Sequence, residues 1–166
     1  MNSKADAGKG QRAIEIISLL TLLAVALFGY ACCSSPPETL GVRDGRLSPC
    51  PSSPNCVSSF DEGDKHVEPL KFKGAPNAAM ARVVKRIAMM DGATLITQND
   101  TYLHVEFRTS IMRFVDDVEL LLDAKNEQIH IRSASRRGYS DLGVNRERVK
   151  AIRTVVSAPS EADEAW

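Results

Sequence analysis

The sequence predicts an α+β fold: a small antiparallel β-sheet packed against two helices, preceded by an N-terminal signal or anchor helix. Three patterns predict it. Residues 102–109 and 129–133 alternate apolar and polar, the period of a half-buried strand. Residues 77–90 and 145–157 carry apolar side chains three and four apart, the stripe of an amphipathic helix. Residues 16–31 form an apolar run behind a basic end.

The chain has 166 residues, enough for one domain with a core. Lys and Arg number 21, as do Asp and Glu, so no overall field drives it onto nucleic acid. Four spans follow from composition. Residues 1–33 hold a basic end (Lys4, Lys9, Arg12) and the apolar run. Residues 34–49, with Ser34-Ser35-Pro36-Pro37, Gly41 and Gly45, read as a flexible linker with little to nucleate a helix or strand. Residues 50–158 form the α+β domain, and residues 159–166 an acidic tail.

The apolar run is shorter than the roughly 20 residues that span a bilayer comfortably. A buried core helix would also explain it. The polar, proline-containing segment that follows does not continue a core, which favours a membrane role. Three fates stay open: cleavage after Ala31, acylation of Cys32 as in a lipoprotein, and retention as a single-pass anchor. All three place the domain on the extracytoplasmic side, attached to or released from the membrane.

Within the domain, Cys50 and Cys56 bracket Pro51-Ser52-Ser53-Pro54-Asn55. In an oxidising compartment the pair can close a disulfide ring. A free or redox-active pair is the alternative, and the spacing argues against a metal knuckle. Val57-Ser58-Ser59 continues the loop, and the segment around Val67 to Leu70 suits an edge strand limited by Pro69. Pro76 and Asn77 mark the start of the first helix, whose stripe is Met80, Val83, Val84, Ile87 and Met90.

Strands are expected at 93–98, 102–109, 114–123 and 129–133, joined by short turns as a meander. Leu103, Val105 and Phe107 point one way. Tyr102, His104, Glu106 and Arg108 point the other way, towards a face expected to be wet or functional. A loop at 134–144 follows, with Asn145 as N-cap of the last helix and Val149, Ile152, Val155 and Val156 inward.

Two motifs go beyond generic patterning: CPSSPNCVSS at 50–59, and FVDDVEL followed by IRSASRRGYSDLGVNRERV. In this order and near this separation they resemble the domain of unknown function (DUF) 1499 family, over residues 47–158. The resemblance implies a small exported or membrane-attached protein. No established activity comes with it.

The second motif offers a ligand site. Arg132, Ser135, Arg136, Ser140, Asp141, Asn145 and Arg146 gather around a helix N-terminus, whose free N–H groups and positive dipole suit an anion. An anionic small molecule, a lipid head group or an envelope protein would fit. The competing reading is an internal ion-pair network in which Asp117, Asp141 and the arginines fix the loop to the sheet. Enzymatic chemistry has the least support; its form would be a hydrolase using Ser135 or Ser140 with Asp141. Asp116 and Asp117 alternate to opposite strand faces and make a poor acid–base pair. No metal-ligand spacing or phosphate-cradling glycine loop is present, and no cofactor is implied.

Overall fold

The computed structural model describes residues 12, 14–25, 35–111 and 113–156. Cys32, the cleavage position at Ala31 and the acidic tail lie outside the described residues, as do the side chains of Val155 and Val156.

Residues 14–25 are helical (α1), and their side chains are all exposed. Among the described residues, no helix is long and apolar enough to cross a membrane. The rest is a mixed α and β structure in the order β1 (Val42–Arg43), β2 (Arg46–Leu47), β3 (Cys56–Ser58), β4 (Leu70–Lys71), α2 (Pro76–Ile87), β5 (Ala93–Gln98), β6 (Tyr102–Arg108), β7 (Val115–Asp123), β8 (Gln128–Ser135) and α3 (Val144–Val156).

The sheet is larger than the small one expected. It has six strands in the order β3-β8-β7-β6-β5, with β4 also on β8, and all the pairings are antiparallel. The meander β5 to β8 follows the predicted strands. The extra pairing comes from β3, in a stretch expected to be loop. Cys56, Val57 and Ser58 pair with Ala134, Ser133 and Arg132. Three residues carry too little periodicity to be seen as a strand.

A second correction falls on the linker. Residues 42–47 form a hairpin, β1 with β2, turned by Asp44 and Gly45 at φ 51° and 71°. Two positive φ values are what a tight hairpin turn requires, and Asp-Gly supplies them. Leu47 is buried, and β2 touches both β7 and β8.

The core lies on the sheet face that carries Leu103, Val105, Val118, Leu120, Ile129 and Ile131. Met80, Val83 and Ile87 of α2 and Val149 and Ile152 of α3 share that core. Each such side chain, fully buried, contributes about 1.5–3 kcal/mol. Pro76 stands at the first position of α2, where its missing N–H costs nothing. Ala75, not Asn77, is the cap residue, and it makes no side-chain cap bond. Gly92, at φ 75°, lets the chain turn into β5: a Cβ there would stand 2.3 Å from the Arg108 carbonyl oxygen.

The opposite face differs most from expectation. Tyr102, His104, Glu106, Asp117, Glu119 and Arg132 are all buried. What reads as a wet face is a second, polar interior layer.

Candidate functional site

The strand period sends Asp116 and Asp117 to opposite faces, and each begins its own cluster. On the helix side, Arg148 donates to Asp116 at 2.6 Å and sits 4.6 Å over the Phe107 ring. Arg148 also reaches Ser133 Oγ at 3.1 Å and Asn145 Oδ1. Asn145 is fully buried. Its Nδ2 donates to the Asn55 carbonyl at 3.0 Å and to Ser135 Oγ at 3.1 Å.

On the other side, Arg136 grips Asp117 with two bonds, Nε at 2.8 Å and Nη2 at 2.7 Å. Nη2 also pairs with Glu106. Arg108 takes the other Glu106 oxygen at 2.7 Å, and His104 Nε2 lies 2.8 Å from Asp117. Glu119 closes the layer. It accepts from Tyr102 Oη at 2.9 Å, from the Gly41 N–H at 2.7 Å and from Arg132 at 3.1 Å. Burial, with Glu119 beside it, raises the Tyr102 hydroxyl well above its ordinary value.

Burial alone would raise the Asp117 carboxyl. Hydrogen bonds from Arg136 and His104 outweigh it and leave the group below its ordinary 3.8. A depressed folded value means that the unfolded chain binds the proton first. The stabilisation is therefore present above 3.8 and lost as pH falls through the folded value. Melting temperature should drop steeply below about pH 4, and Asp117→Asn, though less stable at neutral pH, should show a shallower drop.

The seven expected ligand residues do not converge on one site. Arg132 and Arg136 lie in the buried polar layer, and Ser135 and Asn145 on the helix side. Ser140, Asp141 and Arg146 line an open cleft of about 490 Å³ with Ser52, Lys65 and Tyr139. There Ser140 Oγ accepts the Leu142 N–H at 3.2 Å. Asp141 accepts the N–H groups of Gly143 at 3.0 Å and Asn145 at 2.9 Å. Asp141, rather than Asn145, therefore caps the start of α3. Those two N–H bonds hold the Asp141 carboxyl below its usual range against burial, which would raise it. Arg146 donates to the carbonyls of His66, at 2.9 Å, and Asp64. A larger groove of about 850 Å³ lies on the other side of the same loop, and Leu142 and Gly143 line both.

Asn55 belongs to this assembly although nothing in its local sequence marks it. It is buried. It donates to the Gly138 carbonyl at 2.6 Å, and its own carbonyl accepts from Ser135 N at 2.9 Å as well as from Asn145. Cys50 and Cys56 form a disulfide, with Cα atoms 5.6 Å apart, that brackets Asn55. The ring thus presents one motif to the other across 80 to 90 residues of chain. The one available signal was the joint occurrence of the two motifs. The short loop should contribute about 2 kcal/mol by restricting the unfolded chain. Cys50→Ser/Cys56→Ser should lose that much in urea unfolding, with reductant reproducing the loss in the wild type.

The match to known proteins covers this same assembly. The family model described as "Protein of unknown function (DUF1499)" matches residues 46–156. The chain belongs to the DUF1499 family. Its two motifs are the parts that meet at Asn55. No match was found among curated proteins.

The arrangement offers little to a nucleophile. His104 is taken by Asp117, and His66 Nδ1 lies 2.9 Å from the Asp61 carbonyl. His130 lies 3.1 Å from Ser59 Oγ, but its other nitrogen is 3.9 Å from Asp123, whose carboxylate is taken by Asn126. Burial also pushes the His130 imidazole below its ordinary value. Among the described residues, no group of three or more His, Cys, Asp or Glu could hold a metal ion.

Proposed function

We propose that this DUF1499 protein is an extracytoplasmic domain, held to the cell membrane through residues 1–33, that binds a polar or anionic ligand at the loop end formed by residues 136–144. One observation carries the reading. The buried charges are engaged with one another, whereas Ser140, Asp141 and Arg146 bond to backbone groups and line an open cleft. The internal network and the ligand site are then two regions of the motif, not rival explanations of it. Exposed apolar side chains along α1 support a membrane partner for that segment. The disulfide supports an oxidising compartment.

A hydrolase built on Ser135 or Ser140 with Asp141 has less support. Ser135 Oγ accepts from Asn145, Ser140 Oγ accepts a backbone N–H, and Asp141 is committed to capping α3.

Thermal unfolding of the full chain against inorganic anions, lipid head groups and cell-wall fragments tests the binding reading. A ligand at a hundred times its Kd should stabilise the fold by about 2.7 kcal/mol. The shift should vanish in Tyr139→Ala and in Lys65→Ala, two cleft residues outside the buried network. A panel without a single shift would sink the small-ligand reading and leave an envelope protein as the partner.

A further inference from the structure

The larger groove presents a different chemistry from the cleft. Its walls come from the end of β6, the turn between α2 and β5, the turn between β6 and β7, and the start of α3. Met90, Ala93, Phe107, Val144 and Ala151 make much of it apolar, and Leu142 stands on its rim, 94% exposed.

Among the cations in this groove, Arg108 and Arg148 are committed to Glu106 and Asp116. The Glu147 carboxylate is paired with Lys150. Two charges are left over. Among the described residues, neither the Arg113 guanidinium nor the Asp91 carboxylate has a hydrogen bond or ion-pair partner. The fold brings them to one corner. Arg108 N donates to the Gly92 carbonyl at 2.9 Å, and Arg113 N donates to the Thr109 carbonyl at 3.1 Å. The side chains nonetheless do not pair with each other.

Arg113 and Leu142 also sit in the left-handed region, at φ 52° and 54°. Glycine occupies that region more easily than either residue. Their side chains are therefore held at some backbone cost on the rim of one groove.

We infer that this groove takes a single-chain amphiphile with a zwitterionic head group. The acyl chain lies along the apolar wall. The anionic part of the head meets Arg113 and its cationic part meets Asp91. One exposed charge of each sign, beside an open and largely apolar groove, complements such a head better than a purely anionic one. The groove shares only Leu142 and Gly143 with the polar cleft and does not use its ligand.

Photo-crosslinking of the full chain in an uncharged detergent tests it. Three probes share one diazirine-bearing acyl chain: a lysophosphatidylethanolamine, a fatty acid and a monoacylglycerol. The zwitterionic probe should label peptides containing residues 88–94, 107–113 and 142–151, several-fold above the other two. Asp91→Asn, Arg113→Gly and Leu142→Gly should each cut that labelling several-fold. The two glycine variants should melt no lower than the wild type, since glycine relieves the left-handed backbone. Tyr139→Ala, which removes a residue of the cleft alone, should leave the labelling unchanged. Labelling confined to the N-terminal apolar segment, or equal labelling by the three probes, would overturn the inference.

Discussion

Arg136→Met should destabilise the fold by about 3–5 kcal/mol, the range for removing one partner from a buried ion pair. The Arg136 side chain is 3% exposed and sits between Glu106 and Asp117, which are 8% and 2% exposed. Methionine fills much of the volume but leaves two carboxylates facing each other without a cation between them. Arg108 and His104 compensate in part, because each already holds one of these acids. Urea unfolding at pH 7 reads the loss, and adding Asp117→Asn should recover part of it by removing one of the stranded charges. A loss below about 1 kcal/mol would place Arg136 in the class of exposed pairs and contradict its burial.

Asn145→Ala should cost about 3 kcal/mol or more. One side chain holds four groups: the Asn55 carbonyl, the Ser135 and Ser133 hydroxyls and the Arg148 guanidinium. Each buried polar group left without a partner costs about 1–3 kcal/mol. Arg148 keeps Asp116, and Ser133 can still meet Arg148, so the Asn55 carbonyl and Ser135 hydroxyl account for most of the loss. Asn145→Asp keeps the acceptor for Arg148 but turns a carboxylate oxygen towards the Asn55 carbonyl, and should also destabilise. Hydrogen exchange adds a local reading. The Ser135 amide, which donates to the Asn55 carbonyl, should lose protection more than amides in the middle of β6.

These two residues show where the sequence was legible and where it was not. The sequence marks Arg136 and Asn145 as chemically loaded but does not show the groups they serve. Arg136 reaches Glu106 across 30 positions, and Asn145 reaches Asn55 across 90. The alternation of β6 correctly separates Leu103, Val105 and Phe107 from Tyr102, His104 and Glu106. It does not tell which layer covers the second set. Part of that cover comes from the hairpin at 42–47 and from Gly41 just before it, whose N–H ends on Glu119. The hairpin lies inside a stretch that reads as linker because its strands are two residues long. Its Asp44-Gly45 turn was the available signal.

The two helices, the meander from β5 to β8, the opposite facing of Asp116 and Asp117 and the short spacing of Cys50 and Cys56 can all be read along the chain. All of these depend on neighbours within one element or one short loop, and local periodicity and turn chemistry encode them. Three features emerge only on folding: the polar face of the sheet is interior, the arginine-rich motif divides between two buried clusters and an open cleft, and Asn55 joins the two motifs. A charged side chain is buried only when its partners are supplied, and here those partners come from distant segments. Pairing of that kind is a property of the folded chain as a whole, so no window of sequence contains it.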